Sequence, residues 1–187
     1  MAKRYGEITE GLRRFIESQR LFFVATAPRE GRVNLSPKGL DSLRIMDSRR
    51  VVWLNLTGSG NETAAHLQES SRMTLMFVAF EGEPMILRLY GEARAIHRRD
   101  PEWGPLLSLF PPFSGARQLI DMRVDLVQTS CGFGVPLFEY KGERETLLAW
   151  TRKKGEEGIE EYWRQKNRIS LDGIPTRIVE RNLGEEE

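Results

Sequence analysis

A chain of 187 residues with 40% hydrophobic content is long enough to bury a core and short enough to form one domain over 1–187. Its 28 basic and 27 acidic side chains leave a formal charge of +1, which disfavours a non-specific nucleic-acid binder, since that role needs a basic excess. One cysteine, Cys131, excludes an internal disulfide framework and fits a reducing cytoplasm, and with only His66 and His97 beside it no metal centre is expected.

The start, Met1-Ala2-Lys3-Arg4-Tyr5, lacks the apolar core of a signal peptide. Ile8, Leu12, Phe15 and Ile16 share one helical face, so 8–19 reads as an amphipathic helix with Thr9 and Glu10 in its first turn. A β-rich run over 21–27 turns at Pro28-Arg29-Glu30-Gly31 into a second strand over 32–36, which Pro37-Lys38-Gly39 is expected to break. Residues 43–47 and 51–56 read as a second hairpin around Ser48-Arg49-Arg50. A short helix over 61–70 follows, with Ala64, Ala65 and Leu67 on its apolar side. The runs 73–80 and 85–97 are two long strands joined at Glu81-Gly82-Glu83-Pro84, and the first is the longest apolar run, far short of a membrane span. A helical stretch from Asp100 to Phe110 and a loop at Pro111-Pro112-Phe113-Ser114-Gly115 precede the last core strand, 118–128. Residues 129–134 read as a small-residue loop. The stretches 142–153 and 155–168 read as polar helices anchored by Leu147, Leu148, Trp150, Ile159, Tyr162 and Trp163, and Glu185-Glu186-Glu187 reads as a solvated tail. Six or seven strands in hairpin order, with one helix after the fourth, predict a mainly β fold. It is a small antiparallel barrel with peripheral helices, extended by helices from about residue 142.

Three polar clusters fall at strand ends. Thr57-Gly58-Ser59-Gly60-Asn61-Glu62-Thr63 links the strand 51–56 to a helix that opens near Asn61. Glycines let a backbone approach an anion, free N–H groups at a helix start point at it, and Ser59, Asn61 and Thr63 add donors. The same residues suit an ordinary capped turn with Ser59 or Asn61 as N-cap, and the spacing fits neither a Walker loop nor a dinucleotide fingerprint. Ser36-Pro37-Lys38-Gly39 puts a cation at a strand end, where it can balance a phosphate, lie beside an electron-rich ring, or simply be a surface lysine in a turn. Gln128-Thr129-Ser130-Cys131-Gly132-Phe133-Gly134-Val135-Pro136 offers hydrogen-bonding groups to a flat polar ring, or else a turn with a small buried thiol. No base adjoins Cys131 in sequence, so it is not read as a nucleophile. His66 reads as a packing or capping residue and His97, ahead of Arg98-Arg99, as exposed, so catalytic residues are not assigned.

Taken in order, Ser-Pro-Lys-Gly at 36–39, Trp-Leu-Asn-Leu-Thr-Gly-Ser-Gly-Asn-Glu-Thr at 53–63, Leu-Arg-Leu-Tyr-Gly-Glu-Ala at 87–93 and Gln-Thr-Ser-Cys-Gly-Phe-Gly-Val-Pro at 128–136 resemble the pyridoxamine 5′-phosphate oxidase-related flavoproteins over about 8–140. The resemblance implies a split antiparallel β-barrel, a homodimer, and FMN bound between the two subunits. It implies that Thr57, Gly58, Ser59, Gly60, Asn61 and Thr63 hold the phosphate and that Asn55 lies under the ribityl chain or ring. Ser36, Pro37, Lys38 and Gly39 would border the isoalloxazine and phosphate. Gln128, Ser130 and Cys131 would approach from the second subunit or the barrel rim, and Arg88 would be a flavin contact or a surface residue.

The implied activity is FMN-dependent oxidation or reduction of a small molecule. A flavin-binding or redox-sensing module without turnover is the alternative, as is a related barrel using deazaflavin F420 or haem, for which His66, His97 and Cys131 are the available ligands. The Trp and Pro-x-Arg-x-Glu ending of the oxidases is absent, since 167–176 reads Asn-Arg-Ile-Ser-Leu-Asp-Gly-Ile-Pro-Thr, and this counts against vitamin B6 oxidation. Trp53, Trp103, Trp150 and Trp163 are expected to leave apolar surface for a dimer contact.

Overall fold

The computed structural model describes residues 2–186; Met1 and Glu187, which end the N-terminal stretch and the acidic tail, lie outside them. The chain runs through β1 (Lys3–Tyr5), α1 (Glu10–Ser18), β2 (Phe22–Thr26), β3 (Asn34–Lys38), β4 (Leu43–Asp47), β5 (Arg50–Leu56) and α2 (Glu62–Glu69). It continues through β6 (Arg72–Val78), β7 (Ile86–Ile96), α3 (Trp103–Leu107), β8 (Ala116–Ser130), α4 (Thr146–Lys166) and α5 (Ile178–Leu183). Thr9 caps α1 by accepting from the Leu12 N–H at 3.5 Å, and Leu12 and Ile16 carry its buried face into the core.

All eight strands join one antiparallel sheet, ordered β3-β2-β6-β7-β8-β5-β4, with β1 also on β8. β8 is the spine. β7 runs along one of its edges, while the other takes β5 opposite 116–123 and β1 opposite 127–129. β3 and β4 each pair on one side only, so the sheet is not closed by hydrogen bonds and the fold is a split antiparallel β-barrel. Its curl still brings the two ends together, because the Lys38 ammonium of β3 lies 5.2 Å from the ring centre of Trp53 on β5. A bulge between Tyr90 and Gly91 sharpens the twist, and a side chain on Gly91 would collide with the Arg123 carbonyl.

The barrel interior is apolar. Phe22 meets Trp53 edge-on with ring centres 6.2 Å apart and stacks on Phe77 at 5.8 Å, among Leu75, Leu87, Leu89, Ile120 and Met122. On the outer face, Val52, Leu54, Ile96 and Leu119 pack under Leu106 and Phe110. Ile159, Trp163, Ile178 and Val179 tie α4 to α5. β5 and the start of β8 are therefore covered on both faces, and every residue over 51–55 and 116–120 is buried. Among the described residues no helix is long and apolar enough to cross a membrane.

Several expectations need correction. β3 runs through Pro37 to Lys38 instead of breaking before them, which an edge strand tolerates because one side of its backbone has no ladder to lose. Thr129 and Ser130 belong to β8 and not to a loop, because β7 pairs with both and β1 with Thr129. β1 and α5 are additional elements, α3 is shorter than its predicted stretch, and Gly155 (φ 67°, ψ 177°) breaks α4 into the two expected rods. In the tail, exposed Glu185 pairs with Arg164 at 2.7 Å. Trp53 and Trp163 are fully buried, so surplus apolar surface comes instead from Leu35, Phe133, Leu137, Phe138 and Leu171.

Candidate functional site

The site begins where β5 ends. The Thr57 N–H and hydroxyl both donate to the Gly115 carbonyl, at 2.9 and 2.8 Å, and its oxygen accepts from Trp163 Nε1 at 2.9 Å. The next three carbonyls are held from the same quarter. Asn167 Nδ2 donates to Gly58 at 3.0 Å and Ser59 at 3.4 Å, and Arg117 Nη1 donates to Gly60 at 3.0 Å. Arg117 also donates to Asn167 Oδ1 at 2.9 Å. Ser59 and Gly60 are exposed, while Asn61 is buried at the start of α2. Asn61 makes no side-chain cap bond. Its Nδ2 donates to the Asn167 carbonyl at 3.5 Å, and its Oδ1 has no partner. Thr63 Oγ1 accepts from Asn34 Nδ2 at 3.4 Å.

Below this loop lies a pair of cations without acids. Arg117 is 2% exposed, forms no ion pair with any described residue, and has an unpartnered Nε. Burial pushes its pKa down, offset in part by Tyr162. Lys38 is half-buried above Trp53 and is likewise without a carboxylate among the described residues. Burial lowers its pKa to about 8, and the charge of Arg117 adds to the shift. Beside them, buried Asn55 and Gln118 face each other across β5 and β8, with Asn55 Nδ2 donating to Gln118 Oε1 at 3.0 Å. Gln118 Nε2 and Trp53 Nε1 are left without acceptors. Two uncompensated cations and three orphaned donors at one end of the barrel describe a place for an anionic, acceptor-rich ligand, since such groups are costly to bury unpaired.

The pyridoxamine 5′-phosphate oxidase family model matches residues 8–131. A protein of that family from Aspergillus flavus, ustO, is 37% identical over 191 aligned residues, covering 91% of this chain and 76% of the relative. The chain belongs to the pyridoxamine 5′-phosphate oxidase family. Solved structures share the fold at TM-scores above one half. HupZ from Group A Streptococcus is 19% identical, with a TM-score of 0.51 over 64% of this chain and 91% of that one.

 A protein from Lactobacillus delbrueckii is 17% identical, with a TM-score of 0.53 over 66% of this chain and 94% of that one. For both, the likeness is one of fold.

Within the family frame, the structure brings Lys38, Asn55 and the 57–63 loop to one end of the barrel. Ser36, Pro37 and Gly39 lie on or beside edge strand β3, with Pro37 exposed and the Gly39 carbonyl accepting from Ser42 Oγ at 2.6 Å. Gln128, Ser130 and Cys131 do not join them in one chain. Gln128 Oε1 accepts from the Tyr90 hydroxyl at 3.2 Å, Ser130 Oγ accepts from Arg88 at 3.3 Å, and Cys131 is exposed. Ten residues of β8 separate Gln128 from Gln118, about 33 Å along an extended strand.

His97 is a correction: it is 1% exposed, with Nδ1 against Asn182 Oδ1 at 3.2 Å and Nε2 unpartnered. Burial, then the charge of Arg181, lowers its pKa to about 4. His66 is equally buried, against Thr26 Oγ1 at 3.0 Å. Sequence reasoning missed Arg117 and Asn167 as site residues. Arg117 carried one signal, a charge two residues ahead of the apolar pair Leu119-Ile120 in a core strand; Asn167 carried none.

Proposed function

We propose that this chain is an FMN-binding flavoprotein, an FMN-dependent oxidoreductase acting on a small molecule, and that it works as a homodimer with the cofactor between subunits. The observation that carries the reading is the acid-free pair Arg117 and Lys38 beside a glycine loop whose carbonyls are turned inward. In this reading the phosphate lies against the 57–63 loop, with Ser59, Asn61 and Thr63 as side-chain donors. Asn55 and Gln118 face the ribityl chain, and Ser36, Pro37, Lys38 and Gly39 border the ring. FMN supplies hydride or electron transfer when bound, and Lys38 supplies positive charge near the ring to favour its reduced form.

The separation of about 33 Å along β8 argues that Gln128, Ser130 and Cys131 reach a flavin only from a second copy. The exposed Phe133, Leu137 and Phe138 that follow them offer the apolar contact such a copy needs. The missing oxidase ending leaves pyridoxamine phosphate a poor substrate in this reading.

The test is the visible absorption spectrum of the purified protein, followed by heat release and mass identification of the chromophore. Flavin bands with released FMN are the expected result. A colourless protein that takes up no added FMN would end the reading. Light scattering at micromolar concentration should report a dimer, and a monomer that retains FMN would remove the shared site.

A further inference from the structure

The loop that this reading assigns to the phosphate is shaped by a segment beyond the family-matched residues 8–131. Asn167 closes α4 and is fully buried. Its Nδ2 holds the carbonyls of Gly58 and Ser59, and its Oδ1 orients the Arg117 guanidinium that holds the carbonyl of Gly60. Asn167 is itself fixed, since its carbonyl accepts from Thr176 Oγ1 at 2.6 Å and from Asn61 Nδ2 at 3.5 Å. One turn earlier, Trp163 donates to Thr57 at the base of the loop.

No peptide bond here is cis, and in a trans peptide the C=O of one residue and the N–H of the next point in opposite directions. Three successive carbonyls drawn toward Asn167 and Arg117 therefore turn the N–H groups of Ser59, Gly60 and Asn61 the other way. None of the three donates to any described residue. Successive N–H groups aimed to one side form a nest for an anion, and behind the same loop the buried Arg117, which holds the Gly60 carbonyl and keeps an unpartnered Nε, adds positive charge that no acid offsets among the described residues.

We propose that Asn167 is a positioning residue for this anion nest: it acts through the loop and Arg117, and it makes the chain select phosphorylated flavin over its unphosphorylated form. The inference rests on the flavin reading above. A general structural role for Asn167 would disturb the whole site. A positioning role disturbs only the part that meets the phosphate.

The experiment titrates full-length apoprotein with FMN and, separately, with riboflavin, following flavin fluorescence, for the wild type and for Asn167→Ala. The expected result is a loss of FMN affinity of roughly tenfold or more, with riboflavin affinity unchanged. Equal losses for both ligands, or no loss for either, overturn the positioning role while leaving the flavin reading intact. A wild type that binds neither ligand overturns the flavin reading and the inference with it. If thermal unfolding shows that Asn167→Ala does not fold, Asn167→Asp carries the same test, because it keeps the shape of the side chain and its acceptor for Arg117 while removing the donor to the Gly58 and Ser59 carbonyls. The same selective loss of FMN affinity is expected of it, and equal or absent losses again overturn the proposal.

Discussion

Inside the barrel, Phe22, Leu75, Phe77 and Leu89 bury apolar surface against one another and fill the space with their own atoms. Along the seam between β8 and the C-terminal helices, Thr57, Arg117, Asn167, His97 and Asn182 are just as buried but polar, joined by hydrogen bonds that still leave Arg117 Nε and His97 Nε2 unpaired. Each such orphan costs about 1–3 kcal/mol. The interior is thus arranged for stability alone. The seam accepts a stability cost for an arrangement that makes sense once a ligand is included.

The largest expected effect belongs to the interior. Phe77→Ala should destabilise the protein by about 3–5 kcal/mol in denaturant titrations, while the fraction that stays folded binds flavin normally. A loss of affinity without a loss of stability would break the division between the two regions. Next comes acid. The pKa of His97 falls from the usual 6.5 to about 4 on folding, so the unfolded chain takes up a proton that the folded one refuses. Stability is then full above pH 6.5 and declines toward pH 4, by about 3 kcal/mol. His97→Asn should flatten that slope in thermal melts recorded across the range.

Arg117→Met sharpens the contrast from the other side. It should weaken FMN binding by about 10- to 100-fold yet change apoprotein stability by less than about 1.5 kcal/mol, because relief of a buried charge without an acid offsets the lost hydrogen bonds to Gly60 and Asn167. Calorimetric titration and melting of the apoprotein measure the two quantities. The smallest effect concerns Lys38, whose ammonium loses its proton near pH 8 when no anion is present. FMN affinity should fall by about threefold to tenfold as pH rises from 7 to 9, and Lys38→Arg should remove the dependence.

Much of the architecture could be read from pattern. The bounds of β4 follow from Leu43, Ile45 and the polar turn after Asp47, and the glycine loop was visible between a strand and a helix. β1 was not legible, since three residues, Lys3-Arg4-Tyr5, carry no alternation and are made a strand only by the free edge of β8. α5 was hidden because its start depends on Arg177 adopting a left-handed φ of 55°, which no local preference announces. Of the site, the loop and Lys38 were legible because glycine and strand-end chemistry are local. Arg117 and Asn167 were not, because their roles come from meeting residues 57 and 109 positions away.

That last distance has a meaning in time. Asn167 is translated 109 residues after Gly58. At ordinary rates of synthesis, roughly 5 to 20 seconds pass on the ribosome between the two. Throughout that interval β5 and the loop exist without the amide that turns their carbonyls inward, so this corner of the barrel acquires its shape late, and a stalled ribosome would leave it unfinished.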